Sequence, residues 1–311
     1  MSSSVSPRPL PPSGTAVTAP TAPTAWTPWP APVVPTALPR RRPRQVGLYL
    51  MLTSGALLSV FPLYWLLVIA SNTTSDIYKS PPKLWPGGHL VENIGNAFDR
   101  VDFLAPLVNT VFVAVAVTFL VLFFDSLAAF AFAKFQFPGR NALFTAVLVT
   151  FMLPMQLAII PQFITMVNLG WVGQLHALII PAAANAFGIF WLRQYISSAV
   201  PDELMDASVL DGAGFMRQYV TVCLPLIRPG LGFLGLYTFI ATWNDYLWPL
   251  TVLTDPRRIT LQVALAQLQS AFGQDYGMIM AGALLAVVPL LVIFLIGARQ
   301  FIGDIAKGAI R

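Results

Sequence analysis

Six apolar segments separated by shorter polar stretches dominate the chain from residue 46 onward. They cover residues 46–70, 106–133, 142–167, 175–196, 229–250 and 278–298. Each is long enough for a helix to cross the roughly 30 Å hydrocarbon core of a bilayer. Internal prolines in the third and fourth segments indicate kinks, because neighbouring membrane helices can satisfy the backbone groups that a proline frees. The pattern predicts an all-α integral membrane protein with six transmembrane helices.

The composition separates this membrane region from an N-terminal tail. Of the 311 residues, 56% are hydrophobic and 10% are charged, whereas soluble domains carry about 25% charged residues. Residues 1–45 are rich in Pro, Ala, Thr and Ser, end in the run RRRPR, and lack apolar periodicity, so we expect a disordered tail. No apolar core follows a short basic start, which argues against a signal peptide. The expected organisation is the tail, a transmembrane domain over 46–305 and a C-terminal tail over 306–311.

The basic residues orient the six segments in the membrane. With the N-terminus inside, 13 of the 18 Lys and Arg residues fall in the inner connections and tails, and 5 fall outside. Because cytoplasmic loops are enriched in Lys and Arg, we expect both termini in the cytoplasm. This topology makes Pro201–Arg228 cytoplasmic and leaves Ser71–Ala105 as the long outer connection, where Trp85 suits the membrane interface.

Motifs for chemistry at a protein-bound centre are missing from the sequence. Cys223 is the single cysteine and the two histidines are far apart, so no metal-binding spacing exists. The absence of any Gly-Lys pair excludes a P-loop, and nothing resembles a catalytic cluster, so a membrane-embedded enzyme has no support. An ion-coupled carrier needs ionisable groups at membrane depth, for which Asp125 and Asp245 are the candidates. For Asp125, a helix-end acid paired with Lys134 or with neighbouring backbone is the favoured interpretation over a relay.

The cytoplasmic stretch PDELMDASVLDGAGFMRQYVTVCLPLIRPG, residues 201–230, interrupts the apolar pattern. Pro201 can begin a helix, because its missing N–H would be unpaired there in any case. Asp202, Glu203 and Asp206 would then lie in the first turns, where acidic side chains complement the helix dipole. These features predict a short helix with an acidic start.

An Asp-Gly pair at 211–212 predicts the end of that helix, and a second short helix is expected over Phe215–Cys223. The apolar face predicted for the first helix consists of Leu204, Val209 and Leu210. Two interpretations of the stretch follow from the residues alone. It is either a surface loop with well-capped helices or a docking surface for a partner protein.

Residues 206–225, DASVLDGAGFMRQYVTVCLP, resemble the EAA motif of ABC importer permeases: Glu-Ala-Ala, two residues, Asp-Gly-Ala, eight residues and Ile-x-Leu-Pro. The flanks FGIFWLRQYISSAVPDEL and TWNDYLWPL resemble carbohydrate-uptake permeases of the maltose-type second subunit. Further similar segments are SLAAFAFAKFQFPGR, MLPMQLAIIPQF and YGMIMAGALLAVVPLLVIF. The resemblance covers about residues 46–305, and two positions depart from the motif, where Asp206 replaces Glu and Ser208 replaces the second Ala.

The resemblance implies the type I ABC importer permease fold and a coupling helix that docks into a groove of a separate cytoplasmic ATPase. The residues that it implies in this coupling are Glu203, Asp206, Ala207, Asp211, Gly212, Ala213, Leu224 and Pro225. In this role Gly212 permits a tight bend, and Asp206 meets a basic or polar group of the partner. Leu224 and Pro225 pass the motion to the fifth span. The chain itself would bind no cofactor, since ATP and Mg would be used by the partner ATPase.

Candidate substrate contacts follow from the related permeases, which line their pathway with the fourth and fifth spans. Aromatic rings suit the faces of sugars, and amides suit their hydroxyls. The candidates are Asn185, Phe187, Trp243, Asn244 and Asp245. Each is also consistent with helix packing or with the aromatic belt at a membrane interface.

The implied function is ATP-driven import of a carbohydrate, a di- or oligosaccharide, by a multi-pass protein of the bacterial cytoplasmic membrane. The implied partners are a second homologous permease, an ATPase dimer and an extracytoplasmic solute-binding protein. Permeases for glycerol phosphate or a polyol share the same pattern, and a self-sufficient ion-coupled carrier is the other alternative. The spacing from the Asp-Gly-Ala triplet to the Leu-Pro pair favours the ABC importer.

Overall fold

The computed structural model describes residues 43–271 and 275–308. The chain divides into two compact units, Met1–Gly55 and Ala56–Arg311. The described part of the first unit is the N-terminal half of the first helix. Every contact discussed below lies within the second unit.

Both predicted tails fall largely outside the described residues. The predicted disorder of the N-terminal tail concerns residues 1–42, outside the described part, whereas residues 43–45 already belong to the first helix. Of the predicted C-terminal tail, residues 306–308 continue the last helix and residues 309–311 are outside the described part. The first and last helices therefore extend slightly beyond the predicted bounds 46 and 305, and the predicted domain division stays a prediction.

The described residues are helical wherever they form regular structure, and no strand occurs among them. The α-helices are α1 (Pro43–Ala70), α2 (Thr74–Ile77), α3 (Leu90–Arg100), α4 (Leu104–Lys134), α5 (Arg140–Met152), α6 (Ile159–Asn168), α7 (His176–Ile179), α8 (Ala186–Ala199), α9 (Asp202–Leu210), α10 (Phe215–Gln218), α11 (Leu224–Leu226), α12 (Arg228–Trp243), α13 (Leu247–Val252), α14 (Leu261–Ala271) and α15 (Tyr276–Gly308). A 3₁₀ turn, Met155–Ala158, precedes α6, and a π-helical segment, Tyr219–Cys223, joins α10 to α11. The all-α prediction is confirmed for this part of the chain.

Three helices are by themselves long and apolar enough to cross a membrane. Their spanning parts are Val46–Ala70, Leu104–Lys134 and Tyr276–Ile296. They coincide with the first, second and sixth apolar segments of the sequence. Two further pairs of helices, each joined at a sharp bend, bring the count to five if each pair is one span. The six-span count stays a prediction.

The third predicted segment is divided between α5 and α6. The break follows from Pro154, which has no N–H to continue the helical ladder and which disfavours the helical conformation of the residue before it. Leu153 is accordingly extended, with φ −78° and ψ 130°, and the 3₁₀ turn follows. The predicted kink is therefore a full interruption.

The fourth and fifth predicted segments are also interrupted. Residues 175–196 contain only the short α7 and most of α8, with the non-helical stretch 181–185 between them. In residues 229–250, α12 ends at Trp243, and α13 is a separate short helix. Hydropathy alone predicts the length of an apolar stretch, but here backbone breaks within the stretch shorten the helices.

Helix α4 lies at the centre of the packing in the second unit, with α8 and α12 against it. Buried side chains of these three helices form the main hydrophobic core, including Val113, Val117, Val121, Phe130, Leu192, Ile196 and Leu234. A second cluster joins α14 and α15 to the end of α12 and includes Phe103, Trp243, Leu261, Leu268 and Met278. Helix α4 is therefore the element against which α8 and α12 are positioned.

The connection between α1 and α3 is held by a charged cluster around Asp76. Its two carboxylate oxygens accept hydrogen bonds from Lys79 Nζ at 2.6 Å and from Lys83 Nζ at 2.7 Å. These bonds, that of Lys79 first, hold the pKa of Asp76 below the ordinary range of an aspartate. Thr74 Oγ1 donates to Asp275 Oδ1 at 3.2 Å and thereby ties this connection to the start of α15.

Candidate functional site

The stretch that interrupts the apolar pattern forms a helix, a turn and a second helical run, which together are the 202–226 segment. Helix α9 begins at Asp202, directly after Pro201. Asp202 and Glu203 occupy its first turn, near the positive end of the helix dipole. Met205 and Ser208 form its buried side, and Ser208 Oγ donates to the Met205 carbonyl at 2.7 Å. The serine at the second-alanine position of the motif is therefore satisfied within its own helix.

A left-handed cap at Gly212 ends α9. The Ala213 N–H donates to the Ser208 carbonyl, and the Gly212 N–H donates to the Val209 carbonyl, both at 2.9 Å. This pair of bonds defines a Schellman motif. Gly212 has φ +72°, a conformation that glycine adopts without steric cost. A Cβ at Gly212 would meet no atom within 4 Å, so the requirement for glycine within this chain is conformational rather than spatial.

Helix α9 and its turn present an exposed surface with apolar and acidic side chains. Leu204 is 45% exposed, Val209 59% and Leu210 89%. The exposed residues beside them that sequence analysis assigns to coupling are Glu203, Asp206, Ala207, Asp211 and Gly212. Neighbouring exposed apolar side chains rimmed by charge are typical of protein interaction sites. The structure therefore groups most of the predicted coupling residues on one element.

The second helical run extends without interruption from Phe215 to Leu226. Gln218 Nε2 donates to the Ala213 carbonyl at 2.8 Å and ties the run to the turn that precedes it. The predicted helix over Phe215–Cys223 is confirmed and continues for three more residues. The run meets α12 at a bend of 81°.

Leu224 and Pro225 lie at the far end of this run, away from α9. The Leu224 N–H bonds to the Tyr219 carbonyl, five residues back, which is the π-helical pattern. Pro225 follows and donates no backbone hydrogen bond. Ala213 and Leu224 are half-buried, whereas Pro225 is exposed. Leu224 and Pro225 therefore lie where the 202–226 segment approaches α12.

Aromatic rings pack the second run against the C-terminal end of α4. The Phe215 ring lies 5.2 Å from that of Phe130 and 5.1 Å from that of Phe135, between centroids. The Tyr219 ring lies 5.7 Å from that of Phe130. The Tyr219 hydroxyl is also 2.6 Å from Ser126 Oγ. The second run is therefore attached to α4 by ring packing and by one buried hydrogen bond.

Lys134, the last residue of α4, joins the end of α8 to the start of α9. Its Nζ donates to the Val200 carbonyl at 2.6 Å and to Asp202 Oδ1 at 2.5 Å, and its side chain is 5% exposed. A cation suits this place, because the carbonyls at the end of α8 lack helical partners. The sequence analysis offered Lys134 as a partner of Asp125, and this pairing is wrong.

Asp125 binds a backbone group instead, which is the other partner that the sequence analysis gave for this residue. It is fully buried, and its Oδ1 accepts the Asn185 N–H at 3.1 Å. Gly188, one turn into α8, faces the same carboxylate so closely that a Cβ there would overlap Asp125 Oδ2. The glycine therefore allows α8 to approach α4 at this point.

Two of the candidate substrate contacts lie at the start of α8. Asn185 is its N-cap, and its side-chain oxygen accepts the Gly188 N–H at 2.7 Å. The Phe187 ring lies 4.7 Å from that of Tyr237 and 5.9 Å from that of Phe151. Both side chains are half-buried, and Phe187 packs against the main core.

The other three candidates lie at the end of α12, in different surroundings. Trp243 is 1% exposed and stacks on Phe239 at 5.7 Å, and its indole N–H has no acceptor among the described residues. Asn244 is exposed and donates to the Ile240 carbonyl at 2.9 Å. The Asp245 carboxylate accepts backbone N–H groups at the start of α13. Two candidates therefore lie at the start of α8 and three at the end of α12, and their contact with substrate stays a prediction.

No metal site is found in the part of the chain that the structure covers. Among residues 43–271 and 275–308, no three His, Cys, Asp or Glu side chains are grouped so that they could hold an ion.

The chain is similar along most of its length to permease proteins of known transport systems. The chain is 35% identical over 263 residues to the lactose transport system permease protein LacG of Rhizobium radiobacter, covering 85% of this chain and 95% of that protein. It is 33% identical over 270 residues to the sn-glycerol-3-phosphate transport system permease protein UgpE of Yersinia pestis bv. Antiqua (strain Antiqua), covering 84% and 96%.

A similar fold occurs in the crystal structure of a bacterial ABC transporter involved in the import of the acidic polysaccharide alginate. The TM-score is 0.71 at 22% identity, and the match covers 86% of this chain and 100% of the other. The sequence profile described as "Binding-protein-dependent transport system inner membrane component" matches residues 125–301, from the C-terminal half of α4 into α15. The chain therefore belongs to the family of inner membrane components of binding-protein-dependent transport systems.

Proposed function

We propose that the chain is a permease subunit of an ATP-driven importer that carries a carbohydrate, a di- or oligosaccharide, across the bacterial cytoplasmic membrane. Membership of the family supports the transport role, and the relative named as a lactose permease supports a sugar substrate. The proposed partners are a second homologous permease, a cytoplasmic ATPase dimer that uses ATP and Mg, and an extracytoplasmic solute-binding protein.

The observation that carries the proposal is the exposed surface of α9 and its turn. Leu210 is 89% exposed, and full burial of such a side chain is worth about 1.5–3 kcal/mol. We propose that Leu210 and Val209 insert into a groove of the ATPase, while Glu203 and Asp206 meet basic or polar groups at its rim. The carboxylate of Asp206 reaches one methylene less far than the glutamate of the motif, so its partner must lie closer. Gly212 sets the direction in which the chain leaves the groove.

The proposed topology has six spans with both termini in the cytoplasm. The distribution of Lys and Arg supports this orientation. Three long helices and the bent pair α5 and α6 supply four spans, and the proposal assigns the other two to the region of α7 and α8 and to α12 with α13. In this topology the 202–226 segment is cytoplasmic, where an ATPase can reach it, and the Asp76 cluster is on the outer side.

A glycerol phosphate importer is the second candidate, because a relative 33% identical to the chain carries that name. Phosphate recognition ordinarily uses Arg, Lys or a helix N-terminus. The five candidate pathway residues include the carboxylate of Asp245 and neither Arg nor Lys. Aromatic and amide groups of this kind suit a neutral sugar better than a phosphate. The proposal therefore favours a sugar over glycerol phosphate as the substrate.

Reconstitution tests the proposal. The chain is purified with its partner subunits and inserted into vesicles that enclose ATP, and uptake of lactose, maltose, longer oligosaccharides, glycerol and glycerol 3-phosphate is measured with the solute-binding protein outside. We expect ATP-dependent uptake of one sugar and stimulation of ATPase activity by the same sugar. Uptake driven by an ion gradient without ATP would establish a secondary carrier instead. Uptake of glycerol 3-phosphate alone would establish the second candidate.

A matched pair of surface variants tests the docking surface separately. Leu210→Asp places a charge on α9, and Val91→Asp places one on α3, at side chains that are 89% and 82% exposed. We expect Leu210→Asp to lose co-purification of the ATPase and Val91→Asp to keep it. Equal retention of the ATPase by both variants would contradict docking at α9.

A further inference from the structure

The hydroxyl of Tyr219 makes a directional contact between the 202–226 segment and α4. The Leu122 carbonyl can only accept, so we infer that Ser126 Oγ donates its single proton to this carbonyl of its own helix and that the Tyr219 hydroxyl donates to Ser126 Oγ. Ser126 is fully buried and Tyr219 is 6% exposed, so water does not compete for this bond. This bond therefore adds a buried directional contact to the ring packing and to the ion pair between Lys134 and Asp202 at the start of the segment.

The residue next to Ser126 in α4 holds the start of α8. Asp125 accepts the Asn185 N–H, and α8 approaches α4 closely through Gly188. Consecutive residues of one helix therefore bind the segment on one side and the α8 N-terminus on the other. Asn185 and Phe187, at that N-terminus, are candidate substrate contacts.

We propose that Tyr219 and Ser126 are positioning residues, which pass a displacement of the 202–226 segment through α4 to the start of α8. The inference rests on the proposed function, in which an ATPase moves this segment. Close-packed interiors have low compressibility and transmit strain, so the short distance along α4 suits such a transfer. Tyr219 also begins the π-helical segment, a local geometry that is frequent at functional sites.

Removal of the hydroxyl alone tests the proposal. In Tyr219→Phe the ring packing remains, and Ser126 still bonds to its own helix, so no buried group loses its partner. The number of sugar molecules transported per ATP hydrolysed is measured in vesicles that hold the complete transporter. We expect this ratio to fall about fivefold, as the loss of one buried hydrogen bond predicts, with the subunits still assembled. Tyr49→Phe is the control, since Tyr49 is 65% exposed on α1, and we expect it to keep the wild-type ratio.

Ser126→Ala and the double variant separate coupling from stability. Ser126→Ala leaves the Tyr219 hydroxyl buried without an acceptor, so we expect it to lower the melting temperature more than Tyr219→Phe does. Both single variants and the double variant should show the same loss of coupling, because all three remove one bond. Unchanged ratios, or losses that add in the double variant, would overturn the proposal. A ratio that falls only in step with disassembly or melting would also overturn it, because the role would then be purely structural.

The same experiment distinguishes failure of the inference from failure of the proposed function. If wild-type transporter takes up sugar with ATP and the Tyr219→Phe variant does so equally efficiently, only the inference fails. If wild-type transporter with all its partners takes up no sugar, the proposed function fails, and the inference falls with it.

Discussion

Gly212→Ala offers the sharpest test of how the turn after α9 serves coupling. Gly212 has φ +72°, and an ordinary L-residue in this left-handed conformation costs about 1–2 kcal/mol. Because a Cβ would meet no atom within 4 Å, this backbone strain is the whole effect expected inside the chain. At RT of about 0.6 kcal/mol, we expect the population with the native turn to fall about 5- to 30-fold relative to distorted turns. Asn tolerates the left-handed region, so Gly212→Asn should recover most of the loss.

The assay is ATP-driven uptake in vesicles, with the amount of inserted chain measured in the membrane fraction. We expect normal insertion of all variants, reduced uptake in Gly212→Ala, and near wild-type uptake in Gly212→Asn. Gly212→Asp, which adds a charge beside Asp211, should abolish uptake. Wild-type uptake in both the Ala and the Asp variants would refute the reasoning. Equal loss in the Ala and Asn variants would indicate that the ATPase approaches this backbone too closely for any side chain.

Three further predictions concern attachments outside the turn. Gly188→Ala should destabilise the protein by about 1–3 kcal/mol, measured by thermal unfolding in detergent, because its Cβ overlaps Asp125. The pKa of Asp76 is lowered, so its stabilising contribution is complete above the ordinary aspartate pKa of about 3.9 and is lost as the pH falls below it. The melting temperature should therefore show no pH dependence from this group between pH 8 and 5, and Asp76→Asn should remove part of the acid sensitivity at lower pH. Lys134→Met should lower stability by about 1–2 kcal/mol and Asp202→Asn by less, since Asp202 is 83% exposed whereas the lysine also holds the end of α8.

The 202–226 segment could be predicted from the sequence because its signals are local. Pro201 precedes the helix, acidic residues occupy its first turn, and the Asp-Gly pair at 211–212 ends it. Each of these effects acts within one helical turn, so a single sequence suffices to find it. The prediction missed the π-helical segment, because that pattern depends on how the second run packs against α4.

The attachments of the segment could not be predicted, because they join residues far apart in the chain. Ser126 and Tyr219 are 93 residues apart, and Asp125 and Asn185 are 60 apart. Nothing in a single sequence indicates that these residues meet. Lys134 illustrates the difficulty, since charge alone made it a partner for Asp125 and the fold gives it Asp202.

The candidate pathway residues show why residue type alone did not identify a substrate site. Asn185 and Asp245 were chosen for their polar groups, yet both cap helices that begin after a break. A helix end within a membrane leaves backbone groups that have no water to bond, so polar side chains at such breaks are first required for capping. Transporters also place substrate at broken helices, because only there does the backbone offer free polar groups. The same types of residue at a helix break therefore suit both capping and substrate binding. For this reason the sequence pattern alone does not distinguish the two roles.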